Sequence, residues 1–184
     1  MRTFLVPFTL VGVLLLVTGC STDQPTGERV EMNMQEAAER ADEILDRTFD
    51  AVKPAVHWTH GQTTEGSCDV SRRRAVMTIV SPQRRGSFIG VVERHWKREG
   101  FRQIGVNRNP KSPATYFQTP DKFNVRLLVG GNGQMFFWMA TPCVEESSVA
   151  SPKSVTLGPN YAGEPIPDPD IKSNFWSDTT PNPS

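Results

Sequence analysis

The first twenty residues constrain this chain most, because they decide how much of it is left to fold and in which compartment. Arg2 beside the terminal amine is followed by an apolar run from Phe4 to Val17, and then by Thr18-Gly19-Cys20. A bilayer-spanning helix needs about 20 consecutive apolar residues. This run is shorter and is interrupted by Pro7 and Gly12, so it suits the core of a signal peptide better than a transmembrane anchor. Residues 1–19 are therefore expected to be removed on export, with the cut between Gly19 and Cys20.

Val17-Thr18-Gly19-Cys20 resembles a bacterial lipobox, in which a small residue precedes a cysteine that takes a diacylglyceryl group before signal peptidase cuts ahead of it. Val17 stands where Leu is usual, and Thr18 is a tolerated choice. Acyl chains such as palmitate hold by burial at about 0.8 kcal/mol per CH₂, so one chain binds marginally and two bind durably. The expected location is the extracytoplasmic face of the cell membrane, with a diacylglyceryl anchor on Cys20. Charge agrees with a covalent anchor. The chain has 20 Lys+Arg and 20 Asp+Glu, and loss of Arg2 leaves one net negative charge. That balance gives no broad attraction to an anionic bilayer, and it is far from the basic composition of a general nucleic-acid binder.

With Cys20 lipidated, Cys68 and Cys143 remain, and an even pair in an exported chain reads as a disulfide. It would close a ring of about 76 residues, worth roughly 4 to 5 kcal/mol in the chain-entropy model, an upper figure because native strain reduces it. The other reading is two free thiols. Neither Cys has a CxxC partner that would mark it as reactive.

Hydrophobic residues at 37% of 184 suit one globular domain with polar flanks. Residues 20–30 read as lipidated Cys plus flexible tether, 31–145 as the folded domain, and 146–184, with prolines at 152, 159, 165, 167, 169, 181 and 183, as a disordered tail. Ile166, Phe175 and Trp176 are its large apolar groups and could clip it to the domain or to a partner.

Within the domain, Asn33-Met34-Gln35-Glu36 has the form of a capping box. Met34, Ala37, Ala38, Ala41, Ile44, Leu45, Thr48, Phe49 and Val52 follow at helical spacing, and Pro54 ends the helix. Ala55 to His60 reads as a short strand and Gly61 to Ser67 as a loop. Arg73 to Val80 alternates as a strand closed by Pro82. A second helix is expected from Ser87 or a neighbour to Gly100, where a left-handed residue is wanted. Strands then follow over 101–106, 114–118 and 123–129, with a glycine hairpin at 130–133 and a very apolar strand over 135–141 expected to be buried on both faces. The expected fold class is α+β: a two-layer sandwich, an antiparallel sheet of four to five strands with two helices on one face, in the order αββαβββ.

Chemistry is sparse. His57 and His60 flank Trp58-Thr59, but on a strand this spacing points the rings to opposite faces, and Glu65 and Asp69 are ordinary loop carboxylates. No GxSxG, HExxH or phosphate loop occurs, so no catalytic residue, metal or cofactor is assigned. Arg72, Arg74, Arg84 and Arg85, from the densest positive runs, are candidate anion-binding residues; the competing reading is that alternation and nearby carboxylates disperse and neutralise them.

Taken together, Cys20, Asp42-Glu43-Ile44-Leu45-Asp46, Val56-His57-Trp58-Thr59-His60, Gly66-Ser67-Cys68-Asp69-Val70, Arg72-Arg73-Arg74-Ala75-Val76-Met77 and Pro142-Cys143-Val144 resemble the small uncharacterised lipoproteins of actinobacteria, streptomycete-like ones in particular. The resemblance implies an extracytoplasmic address and brings no catalytic residues with it. The expected role is a binding or accessory module of the cell envelope, contacting an envelope protein or a wall polymer. The alternative is an envelope hydrolase or metal-dependent enzyme using His57, His60, Glu65 or Asp69, and a third reading is a purely structural envelope protein.

Overall fold

The structure, a computed structural model, describes residues 31–180. The expected signal peptide, Gly19, Cys20, the whole of the tether and residues 181–184 of the expected tail lie outside the described residues.

Helix α1, Met34–Ala51, begins where the capping box places it: Asn33 Oδ1 accepts from the Glu36 amide at 3.0 Å, and Glu36 Oε2 accepts from the Asn33 amide at 2.9 Å. Its buried stripe holds Ala37, Ala38, Ala41, Ile44, Leu45 and Phe49, a width that turns one helical face to a core. After it come β1 Trp58–His60, β2 Thr64–Glu65, β3 Val70–Val76, helix α2 Pro82–Arg98, then β4 Arg102–Asn107, β5 Ala114–Gln118, β6 Asn124–Val129, a 3₁₀ turn Gly131–Gly133 and β7 Met135–Ala140. The fold is α+β, as expected. The sheet has seven strands, not four to five, in the order αβββαββββ: three strands precede α2 and four follow it.

All pairings are antiparallel, with β1-β3-β7-β6-β5-β4 across the sheet and β2 added to the start of β3. Two local corrections have simple causes. The segment 61–67 is not all loop: Thr64 and Glu65 pair with Ser71 and Val70, and two residues are too few to show a period. Helix α2 starts at Pro82 rather than near Ser87, because a proline at the first helical position loses no hydrogen bond and brings a helical φ with it. Gly100 closes α2 with φ 80°, the left-handed conformation that its position requires.

Both helices lie on one face of the sheet and meet at Phe137 of β7. The Phe137 ring centre is 4.8 Å from that of Phe49 on α1, and 6.3 Å from those of both Phe88 and Trp96 on α2. The Trp96 indole N–H donates to Thr48 Oγ1 at 3.0 Å, which ties α2 to α1 inside the core. Strand β7 is central, between β3 and β6, but it is not buried on both sides. Met135, Phe137 and Met139 are fully buried, whereas Phe136, Trp138 and Ala140 on the other face are half-buried. Cys68 and Cys143 form the expected disulfide, joining the approach to β3 to the exit of β7, with their Cα atoms 4.8 Å apart.

The expectation of a disordered tail is corrected for residues 146–180. This segment has no helix or strand, yet it is a strap laid along the domain. The Trp58 amide donates to Leu157 O, which covers the free edge of β1, a common way to protect an edge strand from stray pairing. Ile171 then bridges to Thr78, and Trp176 is 1% exposed, its indole N–H donating to Pro54 O at 2.7 Å and its ring set edge-on to Phe88. Proline-rich sequence cannot build a core of its own, but it can complete one already present, since it loses little backbone entropy on being fixed.

Candidate functional site

Two side-chain assemblies stand out, one on each face of the sheet. On the helix face, the two-residue period of β3 points Arg72 and Arg74 toward α1, where Asp42 and Asp46, four residues apart, lie on one line of the helix. Arg72 Nε is 3.1 Å from Asp42 Oδ2, and Arg74 lies 2.7 Å from Asp46 Oδ1 and 3.7 Å from Asp42 Oδ1. The Arg74 side chain is fully buried, with its guanidinium carbon 4.1 Å from the centre of the Trp58 ring. The strap closes the cluster: Ser154 Oγ accepts from Arg74 and donates to Asp46, Ala150 O accepts from Arg72, and Ser154 O bonds His60 Nε2 at 2.8 Å.

Burial draws the His60 imidazole below its ordinary pKa, Arg74 adds to that, and the bond to Ser154 and the Asp42 charge oppose it. Burial likewise pushes the Asp42 carboxyl up against the opposite pull of Arg72 and Arg74. A cleft of about 450 Å³ opens beside the cluster, between Glu39, Asp42, Asp46, Arg72 and Lys153. Its charged groups already face one another: Lys153 pairs with Glu39 at 2.9 Å, and Arg72 with Asp42. The arrangement holds α1, β3 and strap together.

The candidate residues from sequence separate accordingly. Arg72, Arg74, Arg84 and Arg85 do not form one anion-binding surface. Arg72 and Arg74 are turned inward and matched by carboxylates. Arg84 and Arg85 sit in the first turn of α2, because that helix begins at Pro82. There Arg84 pairs with Asp178 of the strap at 2.7 Å and lies over the Phe175 ring, while the Arg85 guanidinium packs over Gly133, whose φ of 79° favours glycine. His57 lies at the strap near Gly158, His60 inside the ionic cluster, Glu65 exposed on β2, and Asp69 in the turn with Gly66. Among the described residues no group of three or more His, Cys, Asp or Glu side chains is placed to hold a metal ion.

The Arg84 clasp gives a pH prediction. Hydrogen bonds from Thr180, then from Arg84, hold the Asp178 carboxyl down from an ordinary 3.8 to about 2. A depressed carboxylate contributes above its unfolded pKa and loses that contribution as pH falls through its folded pKa. The clasp is therefore expected to be complete above pH 4 and lost as pH falls toward about 2. In a carboxyl NMR titration the Asp178 midpoint should lie near 2, and Thr180→Ala and Arg84→Gln should each raise it toward 3.8.

The second assembly, on the face away from the helices, was not legible in the sequence. Residues paired directly across antiparallel strands share a face. The register lines up Arg73, Trp138, Arg126 and Tyr116 across β3, β7, β6 and β5. The next row holds Ser71, Ala140, Asn124, Gln118 and Arg102, with Arg102 donating to Gln118 and Gln118 to Asn124.

The Arg73 and Arg126 guanidinium carbons are 4.3 and 3.7 Å from the centre of the Trp138 indole, reaching it from strands on either side. Such stacking favours a cation electrostatically. Arg73 also makes two 3.4 Å contacts to neutral oxygens, Gln62 O and Thr64 Oγ1. Neither Arg73 nor Arg126 forms an ion pair among the described residues. Burial draws the pKa of Arg126 down, Tyr116 opposes that, and the like charge of Arg73 adds to it. Beside the row, a mainly apolar cleft of about 220 Å³ opens between Ile104, Tyr116, Asn124, Arg126 and Trp138, and Ile104 is 45% exposed.

Among known proteins, no family model, no curated protein and no solved structure matches the chain.

Proposed function

We propose that the protein is a lipid-anchored binding or accessory module of the cell envelope, held at the outer face of the membrane through Cys20 and presenting as its contact surface the part of the sheet around Trp138 on the face away from the helices. One observation carries the binding part of this reading. The helices close one face of the sheet and leave the other with an aromatic and cationic row whose guanidiniums have no carboxylate partners among the described residues. On the opposite face, by contrast, Arg72 and Arg74 are matched by Asp42 and Asp46. The address is supported by the leader and Val17-Thr18-Gly19-Cys20, and by the Cys68–Cys143 disulfide, a bond characteristic of oxidising compartments. The resemblance to actinobacterial lipoproteins points the same way.

The address is tested by growing cells with a labelled fatty acid and measuring the intact mass of the purified protein. Label on the wild type, an N-terminus at Cys20 and no label on Cys20→Ser are the expected results. A wild-type protein that retains residues 1–19, or carries no lipid mass, would refute the anchor.

A further inference from the structure

We infer that the row Arg73-Trp138-Arg126-Tyr116, with Arg102 beside it, is a binding site for a polyanionic wall polymer, a flexible chain of sugar or polyol units carrying repeated phosphate or carboxylate groups. The choice of polymer rests on the envelope address proposed above; the site itself rests on the geometry of the sheet.

Three observations point to a ligand with repeated negative charge. The first is charge distribution. The whole chain is balanced at 20 positive and 20 negative side chains. Yet no Asp or Glu occurs among the strand residues that the register places on this face, while Arg73, Arg126 and Arg102 are all there. Guanidinium forks match the oxygens of phosphate and carboxylate, so an anion would supply the partner that the fold does not.

The second observation is spacing. Arg73 and Arg126 reach one indole from neighbouring strands, so their separation cannot exceed the sum of their distances to its centre. Arg102 is displaced by two strands along the adjacent row. Three cations set out in this way meet successive charges of one chain better than they converge on a single ion. The amides of Asn124 and Gln118, in the same row as Arg102 and next to the Trp138 row, offer donors and acceptors to the hydroxyls of a sugar or polyol backbone.

The third is the state of Trp138. Its indole Nε1 is buried and has no hydrogen-bond partner among the described residues, although a buried donor is normally satisfied. When a guanidinium turns from the ring to an incoming anion, this N–H becomes accessible to an oxygen of the same ligand. The stacked arginines are thus held in place by the indole without being consumed by it. The adjoining cleft, with Ile104 and Tyr116 on its wall, receives the less polar edge of the chain.

The test uses the full chain in neutral detergent, titrated at low ionic strength with poly(glycerol phosphate) and with polygalacturonate. Dextran serves as the uncharged polymer, phosphatidylglycerol-containing vesicles as the lipid arm and single-stranded DNA as the nucleic-acid arm. Binding to at least one of the two acidic polymers is expected, weakened about tenfold or more in Arg73→Gln/Arg126→Gln and about threefold in Arg102→Gln. With three phosphates engaged, log K for the phosphate polymer should fall against log salt with a slope of roughly −2.

Unchanged affinity in a double variant that melts like the wild type would overturn the site. Equal binding of dextran would overturn its dependence on charge. Equal or tighter binding of the vesicles or the DNA would overturn the choice of polymer. Should the double variant fail to fold, the exposed Arg102→Gln and the salt slope decide the matter, and no effect on either counts against the site. Loss of lipid label at Cys20 together with intact polymer binding would remove the address and keep the surface; labelled protein that ignores both acidic polymers would do the reverse.

Discussion

Trp176→Ala is expected to destabilise the protein by about 3–5 kcal/mol, the usual cost of removing a buried Trp and leaving its cavity. The side chain is 1% exposed, edge-on to Phe88 with ring centres 5.2 Å apart, and its N–H is held by Pro54 O at 2.7 Å. It therefore completes the core between the end of α1 and the start of α2, although it lies far along the chain from the last strand. Its backbone is pinned as well: the Ser81 amide donates to Trp176 O at 2.9 Å, and Ser177 Oγ donates to Ile79 O at 2.7 Å. Truncation would leave these backbone pins in place, but it would strip Pro54 O of its indole donor as well as open a cavity. For a fold of this size each kcal/mol shifts the melting temperature by about 2–4 °C, so calorimetry should show a fall of roughly 10 °C. Phe175 is the matched control. It is 40% exposed, lies over Arg84, and its truncation should cost less than about 1 kcal/mol. A strap that merely rests on the surface would make the two variants alike, and equal small effects would refute the lock.

The same strap shows where sequence reasoning stops. Composition correctly says that residues 146–180 cannot form a core, because they have few aliphatic groups and many prolines. It says nothing about whether one Trp among them fits a cavity that the rest of the fold leaves open. Local signals fared better. The Asn33–Glu36 capping box, the stop before Pro54, the left-handed Gly100 and the strand Ala114–Gln118 all involve residues adjacent in sequence, where the physics is local.

Errors arose where one residue has two uses. Pro82 can end a strand or begin a helix, and only the packing of α2 on Phe137 selects the second. The arginines were harder still. Alternation in β3 separates Arg73 from Arg72 and Arg74, and that much is readable. Which side carries the carboxylates depends on α1 docking there, which sets Asp42 and Asp46 against Arg72 and Arg74. The open-face row needed the register of four strands, and Phe136-Phe137-Trp138 hid its period because both faces of β7 carry aromatic rings.

The pairing of α1 with β3 through buried charge leads to the second large effect. Asp42→Ala is expected to cost about 3–5 kcal/mol, because removing one member of a buried ionic group strands the others. Arg72 is 2% exposed and would keep only Thr63 Oγ1 and Ala150 O as neutral acceptors. Arg74 would keep Asp46, whose side chain is 43% exposed and so supplies a better-solvated counter-charge.

The loss is not a measure of what the ion pairs add to stability, since taking three charges out of water carries a large cost of its own. Replacing the group together separates the two quantities. Asp42→Leu/Arg72→Met/Arg74→Met removes the desolvation cost along with the attraction and keeps most of the volume over Trp58, so it should be less destabilised than Asp42→Ala alone. Denaturant unfolding of the single and triple variants measures the difference. A triple variant that loses more than the single would mean that the charges themselves, rather than the penalty of leaving one unmatched, hold α1 and the strap to the sheet.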